Sequence, residues 1–140
     1  MSSPSEEPIW IEERDVIRIH ERLLALHGGA SGLRDKTLLS SALARLRQYL
    51  AYADDADIIN MAAIINMAAA YTAGIVGNHP FVDGNKRTGF VVGILFLELN
   101  GYRFTASEED TAQAVLSLAG RTLDEEGFVT FLHANTVCEI

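Results

Sequence analysis

Positions 79 to 89 read His-Pro-Phe-Val-Asp-Gly-Asn-Lys-Arg-Thr-Gly, which sets an imidazole, a carboxylate and two adjacent cations within eleven residues. Each type has an ordinary structural use: a histidine caps a helix end, Asp-Gly-Asn makes a turn, and a Lys-Arg pair is solvated. Their conjunction asks for more. Pro80 disfavours continuation of a preceding helix, which places His79 where that helix ends and a loop begins. Gly84 allows backbone angles and a close ligand approach that a Cβ would prevent. Asn85 to Thr88 then open the next helix, whose free N–H groups and positive dipole end attract an anion. Lys86 and Arg87 in that first turn oppose the same dipole unless an anion neutralises them, and a nucleotide phosphate chain meets the requirement. Asp83 stands two positions upstream of that helix, placed to hold a magnesium ion, which takes one or two carboxylates and completes its shell with phosphate oxygens and water. His79 is placed to accept a proton from an attacking hydroxyl. These are the parts of a phosphoryl-transfer site.

The rest of the composition makes this place singular. Eleven basic and nineteen acidic side chains give a formal charge of -8, and phosphate backbones are bound by clustered Lys and Arg, so a general nucleic-acid surface is not expected. Lys86-Arg87 is the one adjacent basic pair in the chain. The single cysteine, Cys138, excludes an internal disulfide and a cysteine-based metal site and fits a reducing compartment. The N-terminus, MSSPSEEPIW, is polar and acidic and does not read as a secretory signal, so a cytoplasmic protein is expected.

The elements that must position the motif read as helices. At 140 residues with 49% hydrophobic content, one domain over 1–140 is expected, with short disordered ends at 1–8 and 136–140. No sustained period-two alternation marks a strand. The fold class expected is all-α, a compact bundle of about six helices with the active-site loop between the two central ones. The first runs from about Glu12 to Leu26 with Val16, Ile19, Leu23 and Leu26 on one stripe, stopped by Gly28-Gly29. The second starts near Asp35 as N-cap and spaces Leu39, Leu43, Leu46 and Leu50 helically. The third starts after Asp54, Asp55 and Asp57, is apolar on every face and ends near Val76. Its core, Met61 to Gly77, is interrupted by Asn66 and Thr72 and falls short of the ~20 residues of a membrane span, so a buried core helix is expected. The fourth runs from Asn85 to Leu99, where Asn100-Gly101 stops it. Ser107 with Asp110, and Thr122 with Glu125, read as capping boxes opening the fifth and sixth, and the segment after Asn135 is expected to fray. The direct repeat IINMAA, at Ile58–Ala63 and Ile64–Ala69, reads as a small duplication absorbed by lengthening the helix start. His20 and His27, a heptad apart, and His133 read as surface or helix-end residues, since they lack the i, i+4 spacing that chelates a metal. Tyr49 and Tyr52 read as packing aromatics.

The segment from His79 to Arg87 resembles the signature of the Fic/Doc family, His-x-Phe-x-Asp/Glu-Gly-Asn-Gly/Lys-Arg, and in particular its death-on-curing (Doc) branch. HGGASGLRDKTLLSSALARLRQ from His27 to Gln48 and FLELNGYRFTASEE from Phe96 to Glu109 extend the likeness over nearly the whole chain. The resemblance implies that His79 is the general base, Phe81 a buried anchor of the loop, Asp83 the magnesium ligand, and Gly84, Asn85, Lys86 and Arg87 the phosphate cradle. Adenylyl-transferring members usually carry Gly where this chain has Lys86 and a second Arg where it has Phe90. Both departures point to the Doc branch, which implies a toxin that transfers the terminal phosphate of ATP to a threonine of elongation factor Tu and halts translation. Adenylyl transfer is the second reading, and a weakly catalytic module that binds an antitoxin or target is the third. Gly77 stands where a basic residue is common in the branch and, with the helix repeat, motivates that third reading. Thr122 to Gly127, TLDEEG, matches the pattern of a family inhibitory helix, but Phe90 offers no guanidinium for its glutamate, and a helix cap accounts for it. Inhibition is expected instead from a separate antitoxin, laying an amphipathic segment in a groove.

Overall fold

The computed structural model describes residues 7–51 and 61–139, with the backbone alone for 48–51. Among the described residues the elements are α1 (Glu13–His27), α2 (Lys36–Ala51), α3 (Met61–Asn78), α4 (Asn85–Leu99), β1 (Tyr102–Phe104), α5 (Glu108–Ala119), α6 (Glu125–Ala134) and β2 (Thr136–Cys138). The architecture is all-helical, as expected, with one small addition. β1 and β2 pair antiparallel, Tyr102 against Cys138 and Phe104 against Thr136. The segment expected to fray after Asn135 is therefore tied down, and the Thr105 N–H donates to the Asn135 carbonyl at 2.7 Å and the Glu139 N–H to the Gly101 carbonyl at 2.9 Å. Strands of three residues are too short to show an alternation.

α3 lies at the centre. Eleven of its residues are buried, among them Ile64, Ile65, Met67 and Tyr71. It is long and apolar enough by composition to pass for a membrane span, and here it is buried among the other helices. The second IINMAA copy supplies much of this core, whereas the first half of the first copy, like Tyr52 and the Asp54, Asp55 and Asp57 cluster, lies outside the described residues, as do the side chains of Tyr49 and Leu50.

α3 and α4 approach closely because α4 presents glycines to it. A Cβ at Gly89 would sit 2.9 Å from Val76 Cγ2 and 3.1 Å from the Thr72 carbonyl, and one at Gly93 would collide with the Thr72 hydroxyl and stand 3.0 Å from the Ala68 carbonyl. The Thr72 hydroxyl donates to the Gly89 carbonyl at 2.8 Å. Helix axes this near are rigidly coupled, so the end of α3 and the start of α4, which flank the motif, cannot slide apart.

The caps are mostly where the residues predict them. Asp35 Oδ1 accepts from Thr37 N–H at 2.9 Å, and the Ser107 hydroxyl accepts from Asp110 N–H at 3.1 Å. α6 is an exception: its N-cap is Asp124, whose Oδ1 accepts from Gly127 N–H at 2.7 Å. Thr122 instead donates its hydroxyl to the Ser117 carbonyl at 3.3 Å, closing the α5–α6 link. An aspartate two residues later outcompetes the threonine because a carboxylate also meets the helix dipole. At the N-terminal end, Asn100 clasps Ile9, its Oδ1 accepting the Ile9 N–H at 2.7 Å and its Nδ2 donating to the Ile9 carbonyl at 3.1 Å. Trp10 Nε1 donates to Glu7 at 2.7 Å, so order begins earlier than the expected disordered end at 1–8; residues 1–6 lie outside the described set.

α1 buries Val16 and packs Ile19 on the core as expected, but the inward face departs from the expected stripe at its far end and includes His20. Leu26 is 65% exposed, and the buried positions are Val16 and His20. A histidine thus occupies a core position beside the motif.

Candidate functional site

The loop from His79 to Gly84 is laid against the segment before α2. The Pro80 carbonyl accepts from both Arg34 N–H at 2.6 Å and Asp35 N–H at 3.0 Å, Val82 N–H donates to the Gly32 carbonyl at 3.1 Å, and Leu33 and Phe81 form an isolated antiparallel bridge. Phe81 is 1% exposed, buried beneath the loop.

His79 ends α3 in a left-handed conformation, φ +52°, which costs a non-glycine residue roughly 1–2 kcal/mol. Such a residue persists where its surroundings fix it, and the fixing groups are visible. Its N–H still donates to the Ile75 carbonyl at 3.1 Å. Its carbonyl receives Arg34 Nε at 2.8 Å, and the Asn78 carbonyl receives Arg34 Nη2 at 3.2 Å. A guanidinium therefore satisfies two free carbonyls at the negative end of the α3 dipole. The His79 side chain is exposed.

Asn85, 5% exposed, organises the interior of the loop. Its Oδ1 accepts from Phe81 N–H at 3.0 Å and its Nδ2 donates to the Phe81 carbonyl at 2.9 Å. These two bonds fix which end of the amide is which, and Nδ2 also faces His79 Nδ1 at 3.3 Å. An amide nitrogen only donates, so in this contact Nδ1 of His79 is the acceptor.

Asp83 is exposed, yet its carboxylate is seated. Oδ1 accepts from Gly84 N–H at 2.8 Å and Oδ2 from Ala30 N–H at 3.2 Å. The seat exists because residue 29 is glycine: a Cβ there would lie 2.9 Å from Oδ2, and its φ of +124° suits glycine alone. Each oxygen keeps a second lone pair. Among the described residues no group of three or more His, Cys, Asp or Glu side chains could hold a metal ion. A cation at Asp83 would then have one protein carboxylate and draw its remaining ligands from phosphate and water, a donor set that fits magnesium.

Gly84, φ +82°, turns the chain into α4. Lys86 and Arg87 are exposed on the first turn while Asn85, Thr88 and Gly89 are buried. The two cations also line one part of a cavity of about 560 Å³ whose other walls include Phe90, Ile94, Phe104, Val115 and Leu116. Phe90 meets Phe104 edge-on with ring centroids 5.7 Å apart. The helix start that carries the two cations thus continues into an apolar groove between α4, β1 and α5.

All seven residues singled out from the motif (His79, Phe81, Asp83, Gly84, Asn85, Lys86 and Arg87) fall in this one loop and helical turn. Gly77 is exposed, and a Cβ there would meet nothing within 4 Å. Sequence reasoning missed Arg34, the Gly29-Ala30 seat and, above all, His20. Against the expectation of a surface role, His20 is 2% exposed, stacks on Phe81 with centroids 3.8 Å apart and planes 9° apart, and bonds through Nε2 to the Asp83 carbonyl at 2.7 Å. The available signal was its place four residues after Val16, on the buried face.

Residues 10–97 match the family described as Fic/DOC family. The chain is 27% identical to a protein named Protein kinase doc, of Escherichia phage P1, over 71% of this chain and 74% of that protein. It is 35% identical to a protein named Toxin Doc, of Mycolicibacterium smegmatis (strain ATCC 700084 / mc(2)155), over 64% of this chain and 66% of that protein.

Proposed function

The chain belongs to the Fic/DOC family, and from that premise we propose that it is a toxin-type protein kinase, transferring the terminal phosphate of ATP to a threonine hydroxyl of a translation factor, with elongation factor Tu as the target and arrest of translation as the result. The observation that carries this reading is the convergence of His79, the seated carboxylate of Asp83 and the cations Lys86 and Arg87 on one braced loop and helix start. Phe90 favours phosphoryl over adenylyl transfer, because it is packed against Phe104 and contributes no second guanidinium to the nucleotide.

The target hydroxyl attacks the γ-phosphorus, a new O–P bond forms, the bond from phosphorus to the β–γ bridging oxygen breaks, and ADP leaves. The hydroxyl proton passes to His79, whose Nδ1 is the acceptor in a long contact with Asn85 that is given up as the proton arrives. Lys86, Arg87 and the first N–H groups of α4 hold the phosphate oxygens as negative charge shifts toward the leaving group. Magnesium, when bound by Asp83 with phosphate and water, supplies further charge neutralisation there.

An antitoxin segment is the proposed regulator. The groove between α4, β1 and α5 is apolar with Leu116 56% exposed, and it carries Lys86 and Arg87 in its lining, so an amphipathic helix with acidic side chains near one end fits it and covers the cations. We read residues 1–140 as one domain working in the cytoplasm, where ATP is at hand and the lone Cys138 stays reduced.

Purified protein incubated with elongation factor Tu and ATP labelled at either the γ or the α phosphate tests the reaction. The γ label is expected on the target, and His79→Ala is expected to abolish its transfer. Label from the α position would replace this reading with adenylyl transfer, and no transfer of either, with growth unaffected by expression, would leave a binding module.

A further inference from the structure

The histidine buried under the loop does something that packing alone does not require. A phenylalanine in its place could keep the ring stack against Phe81, and the ring of His20 also lies 3.6 Å from where a Cβ on Gly84 would be. What only a donor supplies is the bond to the Asp83 carbonyl at 2.7 Å. A carbonyl oxygen accepts, so Nε2 carries the proton. The Asp83 carbonyl and the Gly84 N–H belong to a single planar peptide unit. His20 holds the carbonyl end of that unit, and the Asp83 carboxylate takes the N–H end through Oδ1 at 2.8 Å. Rotation of the plane would therefore drag the carboxylate off its seat, where Ala30 N–H holds Oδ2. Gly84 has no Cβ and a left-handed φ of +82°, so nothing in its own conformational preference resists that rotation.

We propose that His20 is a positioning residue for the motif loop: by anchoring the Asp83–Gly84 peptide plane it sets the direction in which the Asp83 carboxylate faces the phosphate-bound cation. The part concerning the cation rests on the kinase reading; the part concerning the peptide plane does not. His20 touches neither substrate nor reacting atoms and acts through Asp83.

Two variants separate donor from packing. His20→Phe keeps the stack and removes the donor, and His20→Gln places an amide N–H near the position of Nε2. Amide exchange at Gly84, read by NMR, is expected to quicken in His20→Phe and to return toward wild type in His20→Gln, with Mn2+ affinity in the presence of ATP, read by EPR, falling about ten-fold or more in the first and recovering in the second, as for loss of groups that orient metal ligands. Unchanged Gly84 exchange in a folded His20→Phe overturns the proposal. So does a His20→Gln protein as impaired as His20→Phe, which would leave shape as the residue's whole role. A wild type that retains no Mn2+ with ATP counts against the kinase reading instead, and Gly84 exchange then decides the role of His20 by itself.

Discussion

Asn85 grips both backbone groups of Phe81, accepting its N–H at 3.0 Å and donating to its carbonyl at 2.9 Å, four residues away and inside the protein. One side chain therefore closes the loop between α3 and α4 as a covalent ring would. The same Nδ2 meets His79 at 3.3 Å, which links the loop's shape to the position of the His79 imidazole.

Asn85→Asp is nearly the same size, yet it keeps only the acceptor. Its second oxygen would face the Phe81 carbonyl and His79 Nδ1, two acceptors, in a buried site. An unsatisfied buried acceptor costs about 1–3 kcal/mol and more when charged. Chemical denaturation is expected to show a loss of that order, and label transfer to fall at least about 100-fold. Asn85→Asp with wild-type turnover would show that the clasp does not shape the base.

Arg34 reaches the motif from the far side, with Nε on the His79 carbonyl and Nη2 on that of Asn78. Arg34→Gln keeps part of the reach and loses the charge and the fork, whereas Arg34→Ala loses everything. The residue is exposed, so stability is expected to fall by only about 1 kcal/mol or less. Turnover should suffer more, by about ten-fold, because the left-handed His79 has lost a partner that holds it. Steady-state kinetics should place the loss in kcat, with KM for ATP little changed. A fall in stability with full turnover would reduce Arg34 to a helix cap.

How far these residues were legible follows from how local their reasons are. The bounds of α4 at Asn85 and Leu99, the caps Asp35 and Ser107, and the gathering of His79, Asp83, Lys86 and Arg87 are decided by neighbours a few positions away, and all can be read along the chain. His20 offered only its place four residues after Val16, because its two partners, Phe81 and the Asp83 carbonyl, are more than sixty residues distant and a lone histidine on a helix is more often solvated. The groove is equally distant from any local pattern, since Phe90, Phe104 and Val115 come from three elements. Strands β1 and β2 escaped because pairing between the ends of α4 and α6, and no repeated side-chain pattern, makes them. Conversely, Thr122-x-x-Glu125 had the right form for a cap but a stronger competitor in Asp124.

Tyr71 couples the core to pH. Its hydroxyl accepts the Ile11 N–H at 2.9 Å and donates to the Ile11 carbonyl at 3.0 Å, stapling the segment before α1 onto α3. Burial pushes the phenol up from 10.0 to about 12; the backbone bond to Ile11 pulls slightly the other way. The folded state therefore holds this proton more tightly than the unfolded state. Between those two values the unfolded chain binds fewer protons, so the stability this group contributes is fully present below pH 10 and is lost as pH rises through about 12. Two units correspond to about 2–3 kcal/mol. Tyr71→Phe has no proton to lose and leaves both Ile11 groups without their partner, a cost of about 1–3 kcal/mol at neutral pH. Wild type is thus expected to be the more stable protein at pH 8, and its advantage over Tyr71→Phe to shrink steadily above pH 10 in urea unfolding. Tyr102, whose phenol is also raised, by burial first and then by Cys138 across the strand pair, is present in both proteins and cancels in the difference. An advantage that stays constant from pH 8 to about 12 would mean that the Tyr71 phenol ionises without hindrance in the folded protein, and the Ile11 staple would then be too loose to fix the start of α1, the helix that carries His20 to the loop.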